Sequence, residues 1–230
     1  MIAPRQPRTI SVLCPTRGRD SAVVHHWCSA YDNAADNERV GISLRFDEDM
    51  SVPLGWCTIT YAGHTQVRIG PRADSATLFN DCASAATGEI LMMGGDDMRF
   101  RTPGWDVIVD EMMWDDGLGC LYPEDGQTGN CVHPIVGREW YELFGFFCPP
   151  GYNWAYVDTW IADVARRAGR LKKLHNVLCE HLHFSFDKSV YDETYAYRRR
   201  DPELLRHDHE RWMNTVDERE DAAAMVRGAI

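Results

Sequence analysis

The chain has 230 residues, of which 44% are hydrophobic and 26% charged, and it carries a formal net charge of −11. That balance describes a globular chain long enough to bury a sizeable core, and the acidity excludes the broad Lys/Arg coat that non-specific nucleic-acid binding needs. No apolar run is long enough to cross a bilayer, and the first eight residues hold two Arg and two Pro but no signal-type apolar stretch, so a cytoplasmic protein without membrane partners is expected.

In chain order, residues 9–14 (TISVLC) read as a buried strand that Pro15-Thr16-Arg17-Gly18-Arg19 breaks. Asp20 or Ser21 caps a helix with Val23, Trp27, Ala30 and Tyr31 at helical spacing. Val40, Ile42, Leu44 and Phe46 alternate as a strand ending at Asp47-Glu48-Asp49. Strand, helix, strand is a βαβ unit, which predicts parallel pairing. Short strands follow at 57–61 and 66–69, then a helix over 75–87 stopped by Gly88, then a buried strand over 89–93 ending in Gly94-Gly95-Asp96-Asp97. A helix from Trp105 to about Trp114, strands over 119–122 and 133–136, helices over 138–144 and 153–168, and a last strand over 176–184 complete the pattern. Beyond Asp187 the composition changes to a basic run, Arg198-Arg199-Arg200, and a charged helical segment from Pro202 to about Arg227. This reads as a C-terminal extension that packs on the domain or on a partner chain. The eight Cys form no CxxC pair and fall mostly in apolar runs, so reduced thiols are expected rather than disulfides or zinc.

Ligands of doubly wound sheets bind beyond the carboxyl ends of the strands. Three predicted strands end in polar clusters, Thr16 to Arg19, Asp47 to Asp49 and Asp96-Asp97, which parallel pairing brings to one crevice. Two carboxylates at a buried strand end repel each other and lose solvation, and a hard divalent cation relieves both costs. A plain Gly/Asp turn is the alternative at 94–97. Arg17 and Arg19 suit phosphate or base contacts, or are solvated loop residues. His181 and His183 lie two apart in the last predicted strand, where they share one face and form a metal-ligand pattern or pack structurally.

The order of strand-PTRGR, strand-DED, strand-GGDD and a late His-x-His resembles the GT-A glycosyltransferases, in particular family 2-like members often found in phages, over roughly residues 9–187. The resemblance implies a single Rossmann-like α/β domain with a mostly parallel central sheet over 1–187 and a helical extension over 188–230. It implies a nucleoside-diphosphate sugar donor, UDP-sugar favoured, and Mn2+ or Mg2+ held by Asp97 with His181 or His183. Asp96 stands at the middle of the DxD motif, whose first acid is replaced by Gly95. Pro15, Thr16, Arg17 and Arg19 match the nucleotide-holding loop, Asp47 the base-recognising acid, and Asn80 a polar position near the donor. Asp158 resembles the general base of inverting members, with Val157 in place of the usual Glu. The 145–154 stretch, GFFCPPGYNW, matches a loop bordering the acceptor.

The implied acceptor is modified phage DNA, a virion protein or a glycan, in the host cytoplasm if the chain is phage-encoded, and the extension offers a route to a homo-oligomer. Two alternatives stay open: a nucleotidyltransferase on a similar sheet, against which PTRGR lacks a Lys-bearing Gly-rich loop, and a non-catalytic nucleotide-sugar or carbohydrate-binding module.

Overall fold

The computed structural model describes residues 5–17, 20–49, 65–188, 196 and 201–230. Strands β1 (Ile10–Thr16), β2 (Val40–Asp47), β3 (Thr65–Gly70), β4 (Ile90–Met93), β5 (Met98–Phe100), β6 (Cys120–Glu124), β7 (Ile135–Gly137) and β8 (Leu171–His181) form one sheet in the order β3-β2-β1-β4-β7-β6-β8-β5. The half β3-β2-β1-β4 is parallel throughout. β7 then runs antiparallel to both β4 and β6, β6 and β8 are parallel, and β5 is antiparallel to β8. The expected mostly parallel sheet thus holds for one half, while β7 and β5 make the other half mixed.

Helices α1 (Asp20–Asp32) and α3 (Trp105–Met112) cover one face, and α2 (Ser75–Ala85), α4 (Arg138–Phe144) and α5 (Val157–Arg167) cover the other. The strands alternate between the two cores, as a two-residue period requires. Val12, Cys14, Ile90 and Met92 join Trp27, Trp105 and Val109 in one core, while Leu13 and Leu91 join Phe79, Trp140 and Trp160 in the other. A strand buried on both faces is therefore continuously apolar, which is why ILMM at 90–93 is the plainest strand in the sequence. The helices α6 (Pro202–Asn214) and α7 (Val216–Gly228) lie against α5, with Ala222, Ala223 and Val226 in the second core and a buried Arg219 Nε donating to Asp163 Oδ2 at 2.9 Å. Among the described residues, no helix is long and apolar enough to cross a membrane, and the seven described cysteines are free thiols.

Several boundaries differ from the sequence reading. β5 was not expected, β8 starts five residues before the predicted strand and ends at His181, and α5 begins at Val157 rather than Asn153. The predicted strand at 57–61, Arg19 and the Arg198–Arg200 run lie outside the described residues.

Candidate active site

The strand ends do gather. Thr16, the last residue of β1, donates its Oγ1 proton to Asp96 Oδ2 at 2.7 Å in a buried bond that ties the β1 end to the loop after β4. Of the two glycines before it, Gly94 is required by close approach. A Cβ on Gly94 would stand 2.8 Å from Val12 Cγ1 and 2.9 Å from the Leu13 carbonyl oxygen, and one on Gly95 would stand 2.7 Å from Asp97 Oδ1. Gly94-Gly95 thus lets the chain hug β1 and lets the Asp97 carboxylate fold back over its own loop.

Asp97 meets His181. The antiparallel pairing of β5 with β8 sets Met98 opposite His181, and Leu182 N–H donates to the Asp97 carbonyl at 2.6 Å. This register holds His181 Nε2 3.3 Å from Asp97 Oδ2, with the side chains 22% and 19% exposed, so the pair is reachable from solvent. Burial pushes the His181 pKa down, but the hydrogen bond and charge of Asp97 outweigh it, and the net shift is upward. On the far side His181 is braced by backbone: its N–H donates to the Asp125 carbonyl at 3.1 Å, and Gln127 Nε2 donates to its own carbonyl at 2.8 Å. The buried Asp125 carboxylate in turn collects the N–H groups of Gln127, Thr128 and Gly129, which fixes that loop.

A hard carboxylate oxygen beside an imidazole nitrogen fits Mn2+ or Mg2+, which are held by one or two protein groups and complete their shells with phosphate and water. Among the described residues no group of three or more His, Cys, Asp or Glu side chains is arranged to hold an ion. Asp97 and His181 are the two side chains at this edge that could hold an ion.

His183 is placed differently from the expectation. β8 has ended, so the shared strand face does not extend to it, and its Nδ1 accepts from Ser185 N–H at 3.2 Å, capping the short 184–186 turn. Its ring still packs near His181, at 5.2 Å between centroids.

The β2 end is an ion cluster. Asp47 is buried, with Arg17 Nη1 2.5 Å from Oδ2 and Arg45 Nη1 3.3 Å from Oδ1, and Arg17 also pairs with Asp49 at 2.7 Å. Asp49 first and Asp47 second raise the Arg17 pKa further. Arg45 is only 2% exposed and bridges β2 to the turn after β3 through the Gly70 and Pro71 carbonyls. Both oxygens of the acid expected to read a base are therefore occupied by arginines in this structure. Pro15 lies in β1 opposite Arg45 and has no N–H to donate.

Asn80 serves the neighbouring loop. Its Oδ1 accepts from Phe147 and Cys148 N–H at 2.8 Å each, and its Nδ2 donates to the Cys148 carbonyl at 2.9 Å. All three bonds go to backbone of the loop before α5, which is a different duty from the donor contact expected of it. Asn80→Ala leaves two buried N–H groups without acceptors, and the expected loss is about 2–4 kcal/mol of unfolding free energy. A urea titration checks this, and an unchanged midpoint contradicts it.

Asp158 sits in the first turn of α5. Burial raises its pKa, against hydrogen bonds from Thr159 N–H and Oγ1 and, less strongly, the charge of His181. Its carboxyl and the Asp97–His181 pair thus belong to one electrostatic site.

Three residues went unread in the sequence. His133 is 5% exposed with neither ring nitrogen partnered, packs edge-on against His181 at 5.3 Å, and is held neutral by burial, with a pKa lowered to about 3. Arg99 directly follows the acidic loop and donates to the Asp96 carbonyl at 3.1 Å, and burial lowers its pKa. Asp208, on α6, is fully buried against the segment before α5. A polar residue inside an apolar run was the available signal for His133, while for Asp208 there was none.

No protein-family model matches the chain, and a search of curated proteins finds no match by sequence. Solved structures do match it. A mannosyltransferase from Pyrobaculum calidifontis in complex with GDP-Man and Mn2+ superposes with a TM-score of 0.62 at 15% identity, covering 97% of this chain and 75% of that one. S. aureus TarS 1–349 in complex with UDP gives 0.58 at 10% identity over 74% of this chain and 59% of its own. GalNAc-T7 with UDP, GalNAc and Mn2+ gives 0.63 at 13% identity over 78% and 45%. These neighbours are glycosyltransferases of the GT-A type, and the likeness shows a shared fold.

Proposed function

We propose that the chain is a metal-dependent, inverting glycosyltransferase of the cytoplasm that moves a sugar from a nucleoside-diphosphate donor, UDP-sugar first, to an acceptor hydroxyl. The observation that carries this reading is the solvent-reachable Asp97–His181 pair at the carboxyl edge of the sheet, 3.3 Å apart. The fold it shares with proteins seen with GDP-Man, UDP and Mn2+ supports it.

Asp97 and His181 would hold the ion, and a bound Mn2+ or Mg2+ supplies charge neutralisation for the departing diphosphate. Thr16, through Asp96, fixes the loop that carries Asp97. Arg17 stands at the β1 end, where its guanidinium can exchange a carboxylate of Asp47 or Asp49 for a donor phosphate. Asp158 removes the proton from the acceptor hydroxyl as that oxygen attacks the anomeric carbon from the face opposite the leaving group, which inverts the configuration. Its raised pKa makes it a better base than an exposed Asp. Residues 1–187 form the transferase unit in this reading, and 188–230 an appended support. The phage-type acceptors, modified DNA or a virion protein, stand beside glycans as the classes to screen.

The test is Mn2+-dependent nucleotide release from UDP-glucose, UDP-N-acetylglucosamine and GDP-mannose, followed by an acceptor screen. The expected result is release from one donor that chelation with EDTA stops. Release from none of them, with pyrophosphate produced instead from a sugar phosphate and a nucleoside triphosphate, would assign a nucleotidyltransferase.

A further inference from the structure

The start of α5 is not set by its own sequence. Its first residue follows Tyr156, a non-glycine residue in the left-handed region at φ 67° whose side chain makes no capping bond, and within the first turn only Asp158 accepts, from Thr159 N–H at 2.7 Å. Such a backbone costs about 1 kcal/mol or more and persists only where the surroundings impose it. The predicted helix over 153–168 starts four residues late, at Val157, and ahead of it stand the N–H groups of Asn153, Trp154 and Ala155.

They point at one carboxylate. Asp208 Oδ1 accepts from Asn153 N–H at 2.8 Å and from Asn153 Nδ2 at 3.0 Å, and Oδ2 accepts from Trp154 N–H at 2.8 Å and Ala155 N–H at 2.9 Å. Asp208 is 0% exposed, and these amides outweigh burial and hold its pKa below the usual range. Neighbours on the same two helices extend the grip. Thr215 Oγ1 lies 3.4 Å from the Tyr152 hydroxyl, His209 Nδ1 lies 3.0 Å from the Tyr156 hydroxyl, and Trp212 stacks on Tyr156 at 5.4 Å and 14°. Two residues past Tyr156 stands Asp158.

We propose that Asp208 is the positioning residue for Asp158: carried in on α6, its carboxylate gathers three successive amides of the 153–155 segment and so fixes where α5 begins and where the base is presented. The proposal rests on the reading of Asp158 as the general base. The C-terminal helices are then part of the catalytic apparatus, acting through a loop and touching no substrate themselves.

The experiment compares Asp208→Asn, Asp208→Glu and Asp158→Asn with the unaltered full chain, using nucleotide release from the three donors above with Mn2+ and amide hydrogen exchange. Glu210→Gln, which alters only a surface pair with Arg206 on the same helix, is the control. In Asp208→Asn the new NH2 group faces two of the donors that one carboxylate oxygen now accepts from, so exchange over 153–158 speeds up while that over 90–97 does not. Turnover falls on the order of 10–100-fold through kcat, the scale of an ångström-level misplacement of a reacting group, and donor KM stays within about twofold. Asp208→Glu, which keeps the charge one methylene further out, shows the same split more mildly and serves if Asp208→Asn does not fold. If Asp158→Asn is inactive but both Asp208 variants keep wild-type kcat, this proposal fails and the base assignment stands. If Asp158→Asn turns over normally, the base assignment fails and this proposal falls with it.

Discussion

Asp97→Ala is expected to abolish Mn2+ binding in titration calorimetry and to cut sugar transfer by at least about 10²–10³-fold, the scale on which lost electrostatic stabilisation of a developing charge is felt. The fold around it should persist, because the bond that docks β8 beside the acidic loop uses the Asp97 backbone carbonyl, which alanine retains. The change also strips His181 of the hydrogen-bonded carboxylate that contributes most to its raised pKa, leaving only the charges of Asp125 and Asp158 acting on it. Unchanged Mn2+ affinity in a folded Asp97→Ala protein would mean that the ion, and the diphosphate with it, sit elsewhere.

Asp158→Asn is expected to lower kcat by about 10²–10⁴-fold, the usual contribution of a positioned base, with donor KM nearly unchanged because in the proposed reading the donor is gripped at Asp97, His181 and Arg17 and not by Asp158. The pH dependence gives a second reading. Burial raises the Asp158 pKa above the ordinary carboxylate value of about 4, so the active, ionised form appears only as pH climbs through that raised value, and the acid limb of the rate profile should lie higher than an exposed Asp would place it. The stability sign runs the other way. Below the unfolded-state pKa both states are protonated and burial costs nothing extra, whereas above the folded-state pKa the folded protein carries an ionised carboxylate that it disfavours. Asp158→Asn should therefore be somewhat more thermostable than the unaltered protein at neutral pH, the trade expected of a group kept for function. A melting-temperature comparison at pH 4 and pH 7.5 reads this difference.

The residues that were legible in the sequence are those whose surroundings are local. The 9–14 and 89–93 runs are buried on both faces, so their apolar continuity marks them as strands, and the Thr16-Arg17 end of the first and the Gly-Gly-Asp-Asp that stops the second mark the site edge. The less legible elements depend on contacts remote in sequence. β5 is three residues long and exists because β8 pairs with it. β8 was read five residues short because the register shifts where β6 passes from Pro123 to Glu124, so His175 and Asn176 are both exposed and the two-residue period is lost. His183 accordingly lies beyond the end of β8, in the lead-in to the 184–186 turn. The start of α5 at Val157 follows the left-handed Tyr156, and the segment ahead of it is held by Asp208, some 53 residues downstream. Asn80 has a familiar polar identity in a helix, yet its partners are backbone groups of the 147–148 loop, which no spacing pattern encodes.

The most direct measurement is a crystal grown with Mn2+ and either UDP or GDP, read by anomalous scattering at the manganese edge. The account predicts an anomalous peak within bonding distance of Asp97 Oδ and His181 Nε2, the two side chains parted to admit it, with diphosphate oxygens completing its shell. Nucleotide bound with no ion at that position, and Asp97 still paired directly to His181, would contradict it.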